Sequence, residues 1–230
     1  MACGILLSGI AASIVATSMG ARHGEDPKPA ISLAALIASS AVTIGTWWML
    51  SRQATTRQPD APQSTTSPVR SLGIGIVSIA IAWPFVALAT RAGEALQVAW
   101  GGPAVPEIAH HTLDQLRANA SDPFAWMLAI AVTTLTPMTE ELLWRGAVQQ
   151  GLKSAGLPRA MALPIASALF AMVHWNAVPA DARAGALPAL FVLGLLFGWL
   201  LERGGRLLAP IAAHATYNAA NLILFSTLPG

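Results

Sequence analysis

The feature that most constrains this chain is a series of seven long apolar segments. A helix needs about 20 apolar residues to cross the hydrocarbon core of a bilayer, and it satisfies its own backbone polar groups, as lipid requires. The sequence therefore predicts an all-α fold, a polytopic membrane helical bundle of about seven to eight transmembrane helices. The predicted spans are residues 3–19, 30–50, 71–90, 124–150, 159–175, 184–201 and 207–225.

The composition is consistent with lipid as the main solvent. Hydrophobic residues make up 54% of the 230-residue chain and charged residues only 10%, whereas soluble domains are about one-quarter charged. The formal net charge is +2 and the sequence contains no basic run, which argues against a nucleic-acid partner. Cys3 is the single cysteine, so an intrachain disulfide framework is excluded.

Polar stretches divide the chain into three predicted parts. Residues 1–50 form an N-terminal transmembrane pair, 51–70 a polar linker, and 71–230 the transmembrane core. The first span lacks the basic start of a signal peptide, and further spans follow at once, so we predict a membrane anchor. Residues 91–122 form either an amphipathic interfacial helix or a structured loop. The placement of Lys and Arg favours a cytoplasmic N-terminus.

The fourth apolar segment contains ionisable residues, Glu140, Glu141 and Arg145. Such residues cost several kcal/mol in lipid and face the interior of a bundle. Two alternatives are that the span ends at Thr139 and continues as a cytoplasmic helix, or that the charges form a structural ion pair. In an α-helix Glu141 and Arg145 share one face and can pair, which leaves Glu140 available as a general base.

Two histidines lie on other apolar segments. Gly156 and Pro158 predict a turn from which Glu140 and His174 are both about 25 Å distant, at matched depth of an antiparallel hairpin. His214 lies at a compatible depth, with Asn218 one helical turn further along the same face. The alternatives are an interfacial histidine for His174 and an interhelical hydrogen bond for His214 and Asn218.

These residue types support three chemistries. A Glu/His pair can activate water while His and Asn donors stabilise an oxyanion. Glu140, His174 and His214 could instead bind a catalytic zinc ion with an open position for water. The same groups could also form a proton or cation pathway in a transporter. The three segments offer no evident Ser or Cys nucleophile, so covalent catalysis fits poorly.

Three motifs in this order resemble those of the CPBP family, which includes CAAX prenyl proteases and bacteriocin-processing enzymes and is also called the Abi family. The resemblance covers roughly residues 124–225. The motifs are Glu140-Glu141-x-x-x-Arg145, Phe170-x-x-x-His174 and His214-x-x-x-Asn218.

The resemblance implies an all-helical intramembrane endopeptidase of the bacterial plasma membrane. Its substrate would be a membrane-associated peptide or protein, CAAX-like and prenylated in some members, cleaved near its C-terminus. By position, Glu140 and His174 would activate water, and His214 and Asn218 would hold the oxyanion. We prefer this metal-free mechanism to a zinc site, and the alternative to both is a non-catalytic immunity or scaffold protein. The residues implied to support the site are Glu141, Arg145 and Phe170.

Overall fold

The computed structural model describes residues 2–22, 27–57, 66–103 and 116–226. Throughout these ranges the ordered elements are helical and no strand occurs, which confirms the predicted all-α class. One π-helical segment lies among the α-helices, at Leu142–Gln149. The described α-helices are α1 (Ala2–Ser18), α2 (Pro29–Arg57), α3 (Pro68–Ala99), α4 (Pro123–Glu141), α5 (Gln150–Ser154), α6 (Arg159–Val173), α7 (Arg183–Gly204) and α8 (Leu208–Ser226).

Several helix ends follow from local sequence. Ser67 and Asp122 precede Pro68 and Pro123, and their side chains accept hydrogen bonds from backbone N–H groups in the first turns of α3 and α4. A capping side chain followed by proline is a favoured helix start. The turn predicted at Gly156 is confirmed, because this residue has a φ of 95°, which glycine adopts without strain.

The first of two compact units comprises Met1–Gln63, Ala109–Leu143 and Ala215–Gly230. Within it α1 packs on α2, and α2 packs on α4. A small apolar cluster lies at the start of α4, where Ala125 and Ala129 are buried with Leu116.

The second unit comprises Ser64–Ile108 and Trp144–His214. Helix α7 is its centre, because both α3 and α6 pack against it. Gly194 of α7 lies so close to α6 that an added Cβ would meet the Cβ of Ser167 at 2.9 Å. Small residues of this kind let apolar helices approach closely. Phe170 of α6 and Phe197 of α7 are among the largest fully buried side chains.

Three helices of the described ranges are long and apolar enough to span a membrane, at Pro29–Met49, Pro68–Ala99 and Arg183–Gly204. The predicted total of seven to eight spans stays a prediction. Helices α2 and α3 continue past their predicted ends, because polar residues need not stop a helix where it leaves the apolar layer. Residues 58–65 of the predicted linker and 104–115 of the predicted interfacial segment lie outside the described residues, and the three-part domain division stays a prediction.

Candidate functional site

The helix with the first motif changes its geometry immediately after the two glutamates. It is α-helical to Glu141, π-helical over Leu142–Gln149 and α-helical again to Ser154. Insertions of π-helix are rare and occur frequently at functional sites. The sequence predicted one uninterrupted α-helix, in which Glu141 and Arg145 would share a face. Arg145 instead lies in the π-helical segment, where α-helical spacing does not apply. Their predicted pairing stays a prediction.

Both of these charged side chains are buried in the protein. Glu141 is 0% exposed and Arg145 is 2% exposed. This burial argues against a solvated cytoplasmic extension at Glu141. Arg145 donates from Nη2 to the backbone oxygen of Gly194 at 3.1 Å. Its guanidinium carbon lies 4.6 Å from the ring centroid of Phe170 and 5.3 Å from that of Phe197, where a cation is attracted by the electron-rich ring faces.

His174 follows the last residue of α6 and is anchored to that helix. Its Nδ1 lies 2.7 Å from the backbone oxygen of Phe170, one of the carbonyl groups that a helix end leaves without an intrahelical partner. A carbonyl oxygen only accepts, so Nδ1 carries the proton and the neutral ring has its basic nitrogen at Nε2. The imidazole also meets the Phe170 ring edge-on, with the two ring centroids 4.9 Å apart.

His214 is buried in α8 between two phenylalanine rings of the second unit. Its imidazole is nearly parallel to the ring of Phe197, with centroids 4.8 Å apart and an interplanar angle of 18°. It meets Phe170 edge-on, at 6.1 Å and 89°. Phe170 therefore contacts Arg145, His174 and His214, one residue from each of the three motifs. These four residues form the Phe170 cluster.

The remaining candidates, Glu140 and Asn218, belong to the first unit. Glu140 is half-buried near the end of α4, one turn after the buried Pro137. The side-chain Nδ2 of Asn218 donates to the backbone oxygen of Val132 at 3.3 Å, so it forms an interhelical hydrogen bond, as one of the alternatives predicted. The depth match of Glu140 and His174 stays a prediction.

The zinc alternative would need Glu140, His174 and His214 to converge on one ion. Within the part of the chain that the structure describes, no three or more His, Cys, Asp or Glu residues are grouped so as to hold a metal ion. Glu140, His174 and His214 are all described residues, and His214 has its ring face against Phe197. The zinc alternative and the metal-free preference both stay predictions.

The sequence interpretation missed the part that α7 plays around the cluster. Gly194 accepts the hydrogen bond from Arg145, and Phe197 stacks on His214. Gln149 ends the π-helical segment and donates to the backbone oxygen of Gly198 at 3.3 Å. The spacing Gly194-x-x-x-Gly198 is typical of close helix contacts in membranes, and this pattern could have drawn attention to α7.

Comparison with known protein families gives a match over part of the chain. Residues 122–220 match the protein family described as type II CAAX prenyl endopeptidase, Rce1-like. This range is about two-fifths of the chain and includes every residue of the three motifs. No curated protein and no solved structure gives a significant match.

Proposed function

We propose, from the premise that this chain belongs to the CAAX protease family through residues 122–220, that it is an intramembrane endopeptidase. The family is one of proteases, and the chain, with its apolar helices, is an integral membrane protein. We further propose the reaction that it catalyses. A peptide bond near the C-terminus of a membrane-associated or prenylated CAAX-like substrate is hydrolysed by activated water.

The observation that carries the proposal is the Phe170 cluster. Phe170 belongs to the second motif, and its ring lies against a residue of the first motif and a residue of the third. Three short motifs far apart in the sequence thus contribute side chains to one contact cluster. A purely structural role for each motif would not require the two histidines to meet the same ring.

In the proposed mechanism Glu140 and His174 act together on a water molecule. The hydrogen bond from His174 to the Phe170 carbonyl fixes the ring and leaves Nε2 as its basic nitrogen. The water loses a proton to the Glu140 carboxylate as its oxygen attacks the scissile carbonyl carbon. Collapse of the tetrahedral intermediate breaks the C–N bond, and the proton passes to the leaving amine. The products are a carboxylic acid and an amine.

His214 and Asn218 would stabilise the negative charge that forms on the carbonyl oxygen. Such donors contribute most where they are preorganised in a site from which water is excluded. His214 is buried and held between two rings. Asn218 uses one N–H for the Val132 carbonyl, and a carboxamide has a second N–H to donate. The proposed mechanism uses no metal ion.

The test is cleavage by the purified full-length protein in detergent, with a prenylated CAAX peptide carrying a fluorophore and a quencher on either side of the scissile bond. Glu140→Ala and His174→Ala are each expected to lower kcat about 10²- to 10⁴-fold, the usual contribution of a general base. The matched control is Glu94→Gln, which alters a carboxylate outside the family match.

Cleavage in the presence of a chelator completes the test. Unchanged activity is expected, and loss of activity that zinc restores would overturn the metal-free mechanism. Full activity in Glu140→Ala or His174→Ala would overturn the assignment of the base. Absence of cleavage by the unmodified protein on prenylated and unprenylated peptides alike would count against the endopeptidase itself.

A further inference from the structure

Helix α7 contains no residue of the three motifs, yet one of its side chains contacts two of them. The Phe197 ring stacks on His214, with centroids 4.8 Å apart. The same ring lies 5.3 Å from the guanidinium carbon of Arg145. Phe197 therefore joins the residue that we place at the oxyanion to the buried cation of the first motif.

The near-parallel stack constrains how the imidazole can turn. Its interplanar angle is 18°, and rotation of the His214 ring about its Cβ–Cγ bond would replace this face contact by an edge clash or a gap. Phe170 closes the site on another side, edge-on at 89°. Two rings at nearly right angles to each other thus fix the plane of the imidazole, and with it the plane in which a ring N–H can donate.

Phe197 itself has little freedom to move. It is 0% exposed, and glycines on the same helix bring its backbone close to neighbouring elements. A Cβ on Gly194 would lie 3.1 Å from the Cα of Ser167, and one on Gly198 would lie 2.7 Å from Oε1 of Gln149. Because α7 is held at these two points, the Phe197 ring is a fixed surface against which His214 is oriented.

We propose that Phe197 is a positioning residue for the hydrolytic site, which orients the His214 imidazole and stabilises the adjacent Arg145 cation through the face of its ring. The inference rests on the proposed function for its catalytic consequence, but not for the contact itself. Helix α7, which lies outside the three motifs, would thereby contribute to stabilisation of the transition state.

The first experiment compares Phe197→Leu with Leu200→Met in the full-length protein. Both positions are fully buried in α7, but Leu200 lies outside the aromatic contacts described for the cluster. Phe197→Leu is expected to lower kcat about 100-fold, the scale of a small misplacement of a reacting group, with KM unchanged. Leu200→Met is expected to retain kcat. Equal losses of kcat in the two variants would overturn the proposal.

A second measurement reads the contact without any substrate. The chain has only five histidines, so selective isotope labelling of histidine gives a small set of ring C–H signals, and a His214→Gln spectrum identifies those of His214. Removing the Phe197 ring is expected to shift the His214 signals downfield, since ring-current shielding is lost. Unchanged signals would overturn the proposal. If the unmodified protein does not cleave peptides, this measurement still decides whether the Phe197 ring stacks on His214, so the two failures remain distinguishable.

A third measurement covers the outcome in which Phe197→Leu does not fold. Phenylalanine at position 197 is replaced with its mono-, di- and trifluoro analogues, which keep the ring shape and progressively weaken the negative charge of its face. A ring that acts through its face predicts a graded fall in kcat, about fivefold over the series, the size of a cation–π contribution. A constant kcat across the series would show that Phe197 only fills space.

Discussion

At the scale of single residues, Arg145 shows how a charge is accommodated inside an apolar bundle. The side chain is 2% exposed, and an isolated buried charge is strongly unfavourable. The guanidinium donates a hydrogen bond to the Gly194 carbonyl and makes cation–π contacts with the rings of Phe170 and Phe197. A planar guanidinium can stack on rings while it donates in its own plane, which a lysine ammonium cannot do equally well.

Arg145→Lys is therefore expected to destabilise the protein although it keeps the charge. The expected loss in the free energy of unfolding is about 2 kcal/mol, the value of a desolvated cation–π contact, measured by thermal unfolding in detergent. The matched control is Arg203→Lys, because Arg203 is exposed and its guanidinium carbon lies 5.5 Å from the ring centroid of Trp199. An equal loss of stability in both variants would show that burial of Arg145 between the rings does not determine the effect.

At the scale of helices, the end of the π-helical segment is held by hydrogen bonds to α7. Gln149 donates from Nε2 to Oε1 of Glu202 at 3.0 Å, and Lys153 approaches the same oxygen at 2.8 Å. Arg159, the first residue of α6, lies 3.5 Å from the other carboxylate oxygen. The nearly buried carboxylate of Glu202 in α7 thus contacts the end of the π-helical segment, α5 and the start of α6. This contact fixes the helix in which Arg145 lies.

Removing this carboxylate is expected to loosen the segment that follows the glutamates. Glu202→Ala leaves polar partners without their acceptor, and the expected loss is about 1–3 kcal/mol in the free energy of unfolding. Amide hydrogen exchange over residues 142–154 should become faster. Glu94→Ala is the control, because Glu94 pairs with Arg91, which is 84% exposed, and exposed pairs contribute about 0–1 kcal/mol. Unchanged amide exchange over residues 142–154 in Glu202→Ala would show that this carboxylate does not stabilise the segment.

At the scale of the whole molecule, the sequence predicted what depends on apolar length and on motif order. The all-helical class of the described residues, the Gly156 turn and, over residues 122–220, the resemblance to CAAX proteases were confirmed. It did not predict the π-helical segment, because an inserted residue in a helix leaves no periodicity of its own. It also missed Phe197, because nothing in the sequence indicates which residues a phenylalanine in an apolar span will contact once α7 packs against α6.

The orientation of the molecule in the membrane can be tested on α3. This helix of 32 residues is about 48 Å long, more than the roughly 30 Å of the hydrocarbon core, so both of its ends should reach water. Val69 near its start is 79% exposed in the protein, Ile81 in its middle is 66% exposed, and Trp100 at its end is 85% exposed. Exposure in the protein is therefore similar at the three sites, and only the lipid distinguishes them.

With Cys3 replaced by serine, a single cysteine is introduced at each site in turn and treated with a membrane-impermeant maleimide, which reacts with thiolate in water. A cytoplasmic N-terminus places the start of α3 inside the cell, so Trp100→Cys should react in intact cells and Val69→Cys only after permeabilisation. Ile81→Cys should react in neither case, because lipid covers it. Labelling of Ile81→Cys would show that α3 does not cross the bilayer, and the reverse pattern at the two ends would place the N-terminus outside.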